Sequence, residues 1–118
     1  MIKLVPFIPA DAVIISGDRT NTEAANLNQI AGPAFTLIED NRPIACGGYR
    51  IHGVAEAWCA LGEQAKGKNL LTVIRRIKKE MDRQQRKEQL YKIYAENTES
   101  ENFLEHLGFV KKNGIFVR

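Results

Sequence analysis

The chain has 118 residues, of which 44% are apolar and 26% charged, and its formal net charge is +3. This length suits one hydrophobic core, and we expect residues 1–118 to form a single domain. No run reaches the roughly 18 apolar residues of a membrane span, and the N-terminal residues lack the apolar stretch of a signal peptide, so a cytoplasmic location is expected. The two cysteines are expected to be reduced and packed as small apolar residues, and the two histidines show no zinc-ligand spacing, so no metal site is predicted.

The first third of the chain predicts one strand and two short helices. Residues 2–8 have the pattern of a strand. Pro9 and Asp11 favour the start of a short helix, which should stop at Gly17. Residues 21–30 predict a second short helix with a capping residue at its start.

Three strands follow in the middle of the chain. Residues 34–39 and 43–49 are apolar runs on either side of Asp40-Asn41-Arg42, a composition that favours a tight turn. Residues 54–61 predict a third strand, and the three together predict an antiparallel meander.

A long amphipathic helix is predicted for residues 66–86. Its apolar residues recur at helical spacing: Leu70, Val73, Ile74, Ile77 and Met81. A strand over residues 89–96 follows directly. The chain then predicts a helix that ends at Gly108 and a hairpin turn at Asn113-Gly114. This order of elements predicts a mixed α/β (α+β) fold.

Positive charge is concentrated in the long helix and its flanks. Residues 66–92 hold ten basic and three acidic residues, whereas the rest of the chain is acidic on balance. A solvated helix face is the simpler interpretation of this charge. A phosphate-binding surface, for a cofactor or for nucleic acid, is the other. No aromatic residues are interleaved with the basic ones, as binding of a single strand would favour, and a solvated face is the more common role of such a charge run, so nucleic acid is not the expected partner.

The junction between the third meander strand and the long helix is the segment best suited to chemistry. The N-terminus of a helix carries unpaired N–H groups and partial positive charge, and therefore attracts anions. Gly67 lets the backbone approach a phosphate closely, and Lys66 and Lys68 add positive charge.

Two segments resemble the signatures of the GNAT superfamily of acyl-coenzyme A N-acyltransferases. The string Gln64-Ala65-Lys66-Gly67-Lys68-Asn69 resembles the superfamily's pyrophosphate loop, with Asn69 where a small residue is usual. Residues 97–109, from Asn97 to Phe109, resemble its second signature. More narrowly, residues 32–37 and 53–58 resemble small GNAT-like proteins encoded by tailed phages and prophages.

This resemblance implies a fold and a cofactor site. The fold would be a mostly antiparallel central sheet of about six or seven strands flanked by helices, with the long helix after the fourth strand. The backbone of residues 57–61 would bind the pantetheine arm of acetyl-coenzyme A, and the N–H of Cys59 would be the oxyanion donor. The residues implied in cofactor binding are Cys59, Ala60, Leu61, Gln64, Ala65, Lys66, Gly67, Lys68, Asn69 and Asn97.

The catalytic acid and base are less clearly marked. The tyrosine that the superfamily uses as general acid corresponds here to Leu104, which cannot donate a proton. Tyr94 is the preferred substitute, with Tyr91 and Tyr49 as alternatives. Glu56 is the candidate base, and its alternative interpretation is a solvated or ion-paired strand residue.

Three functional hypotheses remain open at this stage. The first is an N-acetyltransferase that transfers acetyl from acetyl-coenzyme A to an amine on a small molecule or protein. The second is a catalytically silent GNAT-like phage protein with a structural, assembly or interaction role, located in the host cytoplasm or on the virion. The third, nucleic-acid binding, predicts strongly salt-dependent affinity. Edge strands of the sheet would also allow a homodimer.

Overall fold

The computed structural model describes residues 2–17, 22–67, 70–90, 92–95, 101–113 and 115–118, with the backbone alone at positions 22, 101 and 102. The described strands are β1 (Ile2–Pro6), β2 (Ala34–Glu39), β3 (Arg42–Ile51), β4 (Ala55–Leu61), β5 (Ile93–Ala95), β6 (Val110–Lys112) and β7 (Ile115–Val117). The described helices are α1 (Pro9–Ile15), α2 (Thr22–Ala31), α3 (Leu70–Lys87) and α4 (Glu101–His106).

The strands form one seven-stranded sheet in the order β1-β2-β3-β4-β5-β7-β6. Each neighbouring pair is antiparallel except β4 and β5, which are parallel. Parallel neighbours need a crossover connection, and helix α3, which lies between these two strands in the chain, provides it. The predicted mixed α/β fold, with a mostly antiparallel sheet and the long helix after the fourth strand, is confirmed.

Helices cover both faces of the sheet. On one face, α3 and α4 close the main core, whose largest fully buried side chains include Tyr49, Phe35, Leu37, Ile77 and Ile93. On the other face, α1 and α2 cover a smaller cluster that includes Phe7, Ala12, Ile15, Ala25 and Cys46. We call these the α3 face and the α1 face. Along β4, residues 55, 57, 59 and 61 contact the core of the α3 face, whereas residues 58 and 60 contact the cluster of the α1 face.

Helix α1 is tied to the sheet by a buried carboxylate. Asp11 is 6% exposed, and its Oδ2 accepts hydrogen bonds from the Ile8 N–H at 3.2 Å and from the Thr36 hydroxyl at 2.7 Å. The first bond satisfies an N–H at the start of the helix, and the second attaches the helix to β2. Burial of this carboxylate is tolerated because hydrogen-bond donors surround it.

The turns form where the sequence favours them. Asp40 and Asn41 both have positive φ, 52° and 63°, and join β2 to β3 through the pair Glu39↔Arg42. This is the backbone of a two-residue hairpin, and Asp and Asn adopt it more readily than other non-glycine residues. The predicted turn at positions 40–42 is confirmed. The pair Lys112↔Ile115 likewise makes a two-residue hairpin at positions 113–114, of which position 114 lies outside the described residues.

The predicted bounds of α3 and β5 differ most from the structure. Helix α3 begins at Leu70 and not at residue 66, since residues 63–67 form turns. Its C-terminal end extends to Lys87, and Gln89 then adopts a left-handed conformation with φ 56° while the Leu90 N–H donates to the Gln85 carbonyl. The predicted strand over residues 89–96 therefore contracts to Ile93–Ala95, with position 96 outside the described residues.

Strand β3 lies close to the segment that leads from α2 into β2, and this contact yields a stability prediction. A Cβ at Gly48 would lie 2.3 Å from the Pro33 carbonyl oxygen, so the backbone itself would have to move. We expect Gly48→Ala to lower the free energy of unfolding by about 3 kcal/mol, measured by urea denaturation. Gly67→Ala is the matched control. Its Cβ would meet nothing nearer than the Gln64 carbonyl oxygen at 3.8 Å, and we expect a change within about 0.5 kcal/mol. Equal effects of the two variants would contradict this packing.

Candidate functional site

Among the described residues, β4 and β5 pair at the beginnings of both strands. The assigned pairs are Ala55↔Ile93 and Glu56↔Tyr94. Strand β4 continues to Leu61, whereas the described part of β5 ends at Ala95. The part of β4 beyond Glu56 therefore has β3 on one side, and no described residue is paired with it on the side of β5.

The register of β3 and β4 determines which backbone groups of β4 point towards the side of β5. The Gly62 N–H donates to the Ile44 carbonyl at 2.8 Å, which makes this an antiparallel pair whose members hydrogen-bond to each other. Such pairs alternate along the ladder, so the pair Gly47↔Cys59 belongs to the other type. The backbone groups that consequently point away from β3, towards the side of β5, are those of Ala57, Cys59 and Leu61.

The loop after β4 is a series of turns that leads into α3. The Ala65 N–H donates to the Gly62 carbonyl at 3.0 Å, and the Leu70 N–H donates to the Gly67 carbonyl at 3.2 Å. Ala65 is buried in the core of the α3 face and anchors the loop. Gln64, Lys66 and Gly67 are exposed. Lys68 and Asn69, also implied in cofactor binding, lie outside the described residues.

The start of α3 is suited to an anion. The helix has 18 residues and no acidic residue in its first turn, so no carboxylate of that turn opposes an anion there. Among the described residues, the space beside Gly67 is open, since a Cβ built there meets nothing nearer than the Gln64 carbonyl oxygen at 3.8 Å. A phosphate group can therefore approach the backbone at this position.

A polar cluster lies on the α1 face, around the pair Glu56↔Tyr94 of β4 and β5. Glu56 and Tyr94 are direct partners in the parallel pair, so their side chains share this face about 4.8 Å apart along the sheet. Arg50, opposite Glu56 on β3, forms an ion pair with Glu56 Oε1 and donates to Asn28 Oδ1 at 2.6 Å. The Lys92 ammonium lies 5.6 Å from the centre of the Tyr94 ring. The structure thus brings the candidate base and the preferred candidate acid together.

Tyr49 and Leu104 do not join this cluster. Tyr49 is fully buried on the α3 face, and its hydroxyl donates to the Met81 carbonyl at 3.0 Å. Burial raises the pKa of Tyr49 to about 12, and the nearby Arg118 only partly opposes this. Leu104 packs in the main core. Tyr91 and Asn97 lie outside the described residues.

Sequence reasoning missed Arg50 and Asn28 as members of the cluster. Arg50 could have been found from the hairpin, because a tight turn after residue 51 places residue 50 opposite residue 56. Asn28 reaches the cluster from α2, and no local pattern shows that contact. Beside the cluster on β4, Trp58 packs edge-on against Phe7 with ring centres 5.1 Å apart. Its Nε1–H is buried and has no hydrogen-bond partner within the described part of the chain.

Comparison with solved structures identifies the fold. The structure is similar to the ribosomal-protein-S18-alanine N-acetyltransferase from Escherichia coli, with 14% identity, a TM-score of 0.70, and coverage of 96% of this chain and 80% of that chain. It is similar to a variant of the SpeG spermidine N-acetyltransferase from Vibrio cholerae, with 17% identity, a TM-score of 0.68, and coverage of 98% and 91%. It is also similar to a GNAT family acetyltransferase from Elizabethkingia anophelis solved with acetyl-CoA bound, with 14% identity, a TM-score of 0.65, and coverage of 98% and 95%. The fold is therefore that of the GNAT acetyltransferases.

The sequence by itself matches no protein-family model and no curated protein. Within the described ranges, no group of His, Cys, Asp and Glu side chains is arranged to bind a metal ion. No helix in that part of the chain combines the length and apolar character needed to cross a bilayer.

Neither cysteine forms a disulfide, and the two lie on opposite faces of the sheet. Burial raises the pKa of the Cys46 thiol from 9.0 to about 12, and the charge of Asp11 acts in the same direction. Between these pH values the unfolded chain loses a proton that the folded chain keeps. The contribution of the protonated Cys46 thiol to the stability of the folded chain is therefore complete below about pH 9 and is lost as the pH rises towards 12.

We therefore expect Cys46→Ala to reduce the loss of stability between pH 9 and pH 10.5. The slope of unfolding free energy against pH should become shallower by up to about 1.4 kcal/mol per pH unit, measured by urea denaturation. Ala25→Gly, which removes a buried methyl group but no titratable group from the same cluster, is the control and should keep the slope of the parent protein. Identical slopes for all three proteins would contradict the assignment.

Proposed function

We propose that the protein is an N-acetyltransferase that transfers the acetyl group of acetyl-coenzyme A to an amine. The observation that carries this proposal is the register of β3 and β4, which turns the backbone groups of Ala57, Cys59 and Leu61 away from β3 and towards the side of β5, with the loop before α3 directly after this strand. Acyl transfer needs a hydrogen-bond donor near the carbonyl oxygen, where negative charge develops, and a fixed backbone N–H meets this need without reorganisation.

The described residues fit acetyl-coenzyme A as the acetyl donor. Acetyl-coenzyme A supplies an activated thioester. The backbone of Cys59, Ala60 and Leu61 would hold the pantetheine arm, and the Cys59 N–H would bind the carbonyl oxygen. The open backbone at Gly67 and the acid-free first turn of α3 would hold the pyrophosphate, together with the side chains of Gln64 and Lys66.

The polar cluster on the α1 face supplies groups for proton transfer. In the reaction the amine nitrogen bonds to the acetyl carbonyl carbon, the carbon–sulfur bond breaks, the amine gives up a proton and the departing sulfur takes one. Glu56 would accept the amine proton through Oε2, since Arg50 engages Oε1. The Tyr94 hydroxyl would donate a proton to the sulfur, and Lys92 beside its ring would stabilise the resulting phenolate.

We propose the acceptor as a chemical class, an amine of a protein or of a small molecule. Among the similar proteins, one is named for a ribosomal-protein alanine and another for spermidine, so the shared fold is compatible with protein and small-molecule amines. The narrower resemblance to phage and prophage proteins makes the host cytoplasm the proposed setting, and a homodimer through an edge strand the proposed assembly.

A second candidate function is supported by one observation. The position that corresponds to the superfamily's usual proton donor holds Leu104, which is buried in the main core. A chain that binds acetyl-coenzyme A without transferring the acetyl group would serve as a structural or interaction protein, with a phage assembly partner as the proposed case.

Calorimetric titration with acetyl-coenzyme A tests the proposed cofactor site. We expect micromolar binding by the parent protein and at least a hundredfold loss in Gly67→Glu, since the carboxylate would occupy the open space and repel the pyrophosphate. Gly67→Ala is the matched control and should retain binding within about fivefold. No binding by the parent protein would refute both the enzyme and the silent acetyl-coenzyme A-binding protein.

Kinetic analysis of Tyr94→Phe separates the enzyme from the silent protein. We would measure thiol release from acetyl-coenzyme A with spermidine and with peptides bearing an N-terminal alanine. Loss of the proposed acid should lower kcat about a hundredfold and leave the affinity for acetyl-coenzyme A unchanged. Tyr49→Phe, which removes a hydroxyl from the opposite face, should keep kcat within threefold. Turnover by Tyr94→Phe at the parental rate would remove Tyr94 from the mechanism, and binding without turnover by the parent protein would support the silent alternative.

A further inference from the structure

Helix α3 carries far more positive than negative charge, and both of its acidic residues are already engaged. Glu80 is buried and accepts two hydrogen bonds from the Arg83 Nε, at 3.0 and 3.1 Å. Asp82 forms ion pairs with Arg118 and with Lys78. These carboxylates cannot neutralise the other cations of the helix.

The helix therefore has a set of uncompensated cations. Among the described residues, five basic side chains of α3 form no ion pair and no side-chain hydrogen bond, and they are Arg75, Arg76, Lys79, Arg86 and Lys87. Three of them, Arg75, Lys79 and Arg86, line an open surface groove together with Lys78 and Asp82. A second groove, lined in part by Gln85 and Gln89, shares Asp82 and Arg86 with the first. We call the two together the α3 groove.

The α3 groove is a long basic track rather than a single anion site. Arg86 follows Arg75 by eleven positions in the helix, which corresponds to about 16 Å along the helix axis. A single phosphate or the pyrophosphate of a cofactor is too short to contact both ends. Arg75 is also five residues beyond the first residue of α3, about 7 Å along the axis from the loop proposed to hold acetyl-coenzyme A.

We propose that the α3 groove binds the phosphate backbone of a double-stranded nucleic acid. A duplex carries a closely spaced row of negative charges that a row of cations can contact, and the release of condensed counterions on contact favours binding at low salt. The described lining residues of the groove include no aromatic side chain on which an unpaired base could stack, which favours a duplex over a single strand. The apolar side of α3 is buried in the main core, so the helix cannot insert an apolar face into a lipid surface.

Fluorescence anisotropy with a labelled 20-base-pair duplex DNA of mixed sequence tests this proposal between 50 and 200 mM salt. With about four phosphate contacts, the slope of log K against log salt concentration should be about −3 to −4, with a dissociation constant in the micromolar range at 50 mM salt. The triple variant Arg75→Gln, Lys79→Gln, Arg86→Gln should bind at least tenfold more weakly, with the slope reduced in magnitude by about 2 to 3. Glutamine keeps helix propensity, and circular dichroism verifies the fold.

The matched control removes the same charge from exposed positions outside α3: Lys3→Gln, Arg42→Gln and Lys112→Gln. This triple variant should bind the duplex within threefold of the parent protein. Equal weakening by the two triple variants would refute a defined groove, because net charge alone would then explain binding. Absence of duplex binding at 50 mM salt, tighter binding to a 20-nucleotide single-stranded RNA, or binding only to vesicles that contain phosphatidylserine would each overturn the proposal.

Binding to the groove is independent of the proposed acetyl-coenzyme A site, and the experiment distinguishes them. Gly67→Glu should bind the duplex as tightly as the parent protein although it no longer binds acetyl-coenzyme A. The triple variant of the groove should bind acetyl-coenzyme A as tightly as the parent protein although it binds the duplex more weakly. Loss of duplex binding in Gly67→Glu, or in the presence of saturating acetyl-coenzyme A, would place the anion site at the loop and refute a separate groove.

Discussion

The architecture depends on one parallel pairing in an otherwise antiparallel sheet. Strands β4 and β5 run in the same direction, so the chain must return across the sheet between them, and α3 makes this crossover. The N-terminal end of α3 consequently lies beside the end of β4, and the loop between them has only residues 62–69 to make the turn. The helix packs its apolar stripe onto the α3 face, which provides most of the core.

The same pairing creates the candidate site. Two register pairs hold the beginnings of β4 and β5 together, and along the rest of β4 the backbone groups of Ala57, Cys59 and Leu61 point away from β3. Because β4 is fixed to β3 over its whole length, the Cys59 N–H is held in a set direction. A backbone donor of fixed direction, followed by a helix start suited to an anion, is an arrangement that the chemistry of acyl transfer can use.

The sequence predicted the local elements well where turn chemistry and periodicity act together. The bounds of β2 and the turn at Asp40-Asn41 follow from residues that are adjacent in the chain. The start of β5 was predicted less well, because Gln89 adopts the left-handed conformation that glycine usually provides and the chain turns there instead of beginning a strand. The apolar stripe of α3 was predicted correctly, since a period of 3.6 residues is visible in the sequence alone.

The candidate site was predictable only in part. The loop and β4 are contiguous in the chain, and their signature is local. The polar cluster joins residues from α2, β3, β4 and β5, and the Glu56–Tyr94 pairing depends on a crossover of more than thirty residues whose register no local pattern specifies. The ion pair of Arg50 with Glu56 shows the same limit, since it changes the environment of the candidate base and arises only when the strands align.

We propose that the acetyl group binds beside the backbone of Cys59, and selective ¹⁵N-cysteine labelling tests this placement. The chain has two cysteines, so the ¹H–¹⁵N spectrum should contain two amide signals. On addition of acetyl-coenzyme A, we expect a large shift of the Cys59 signal and little change at Cys46, which faces the other side of the sheet. Binding of acetyl-coenzyme A with the Cys59 signal unmoved would show that the acetyl group lies elsewhere.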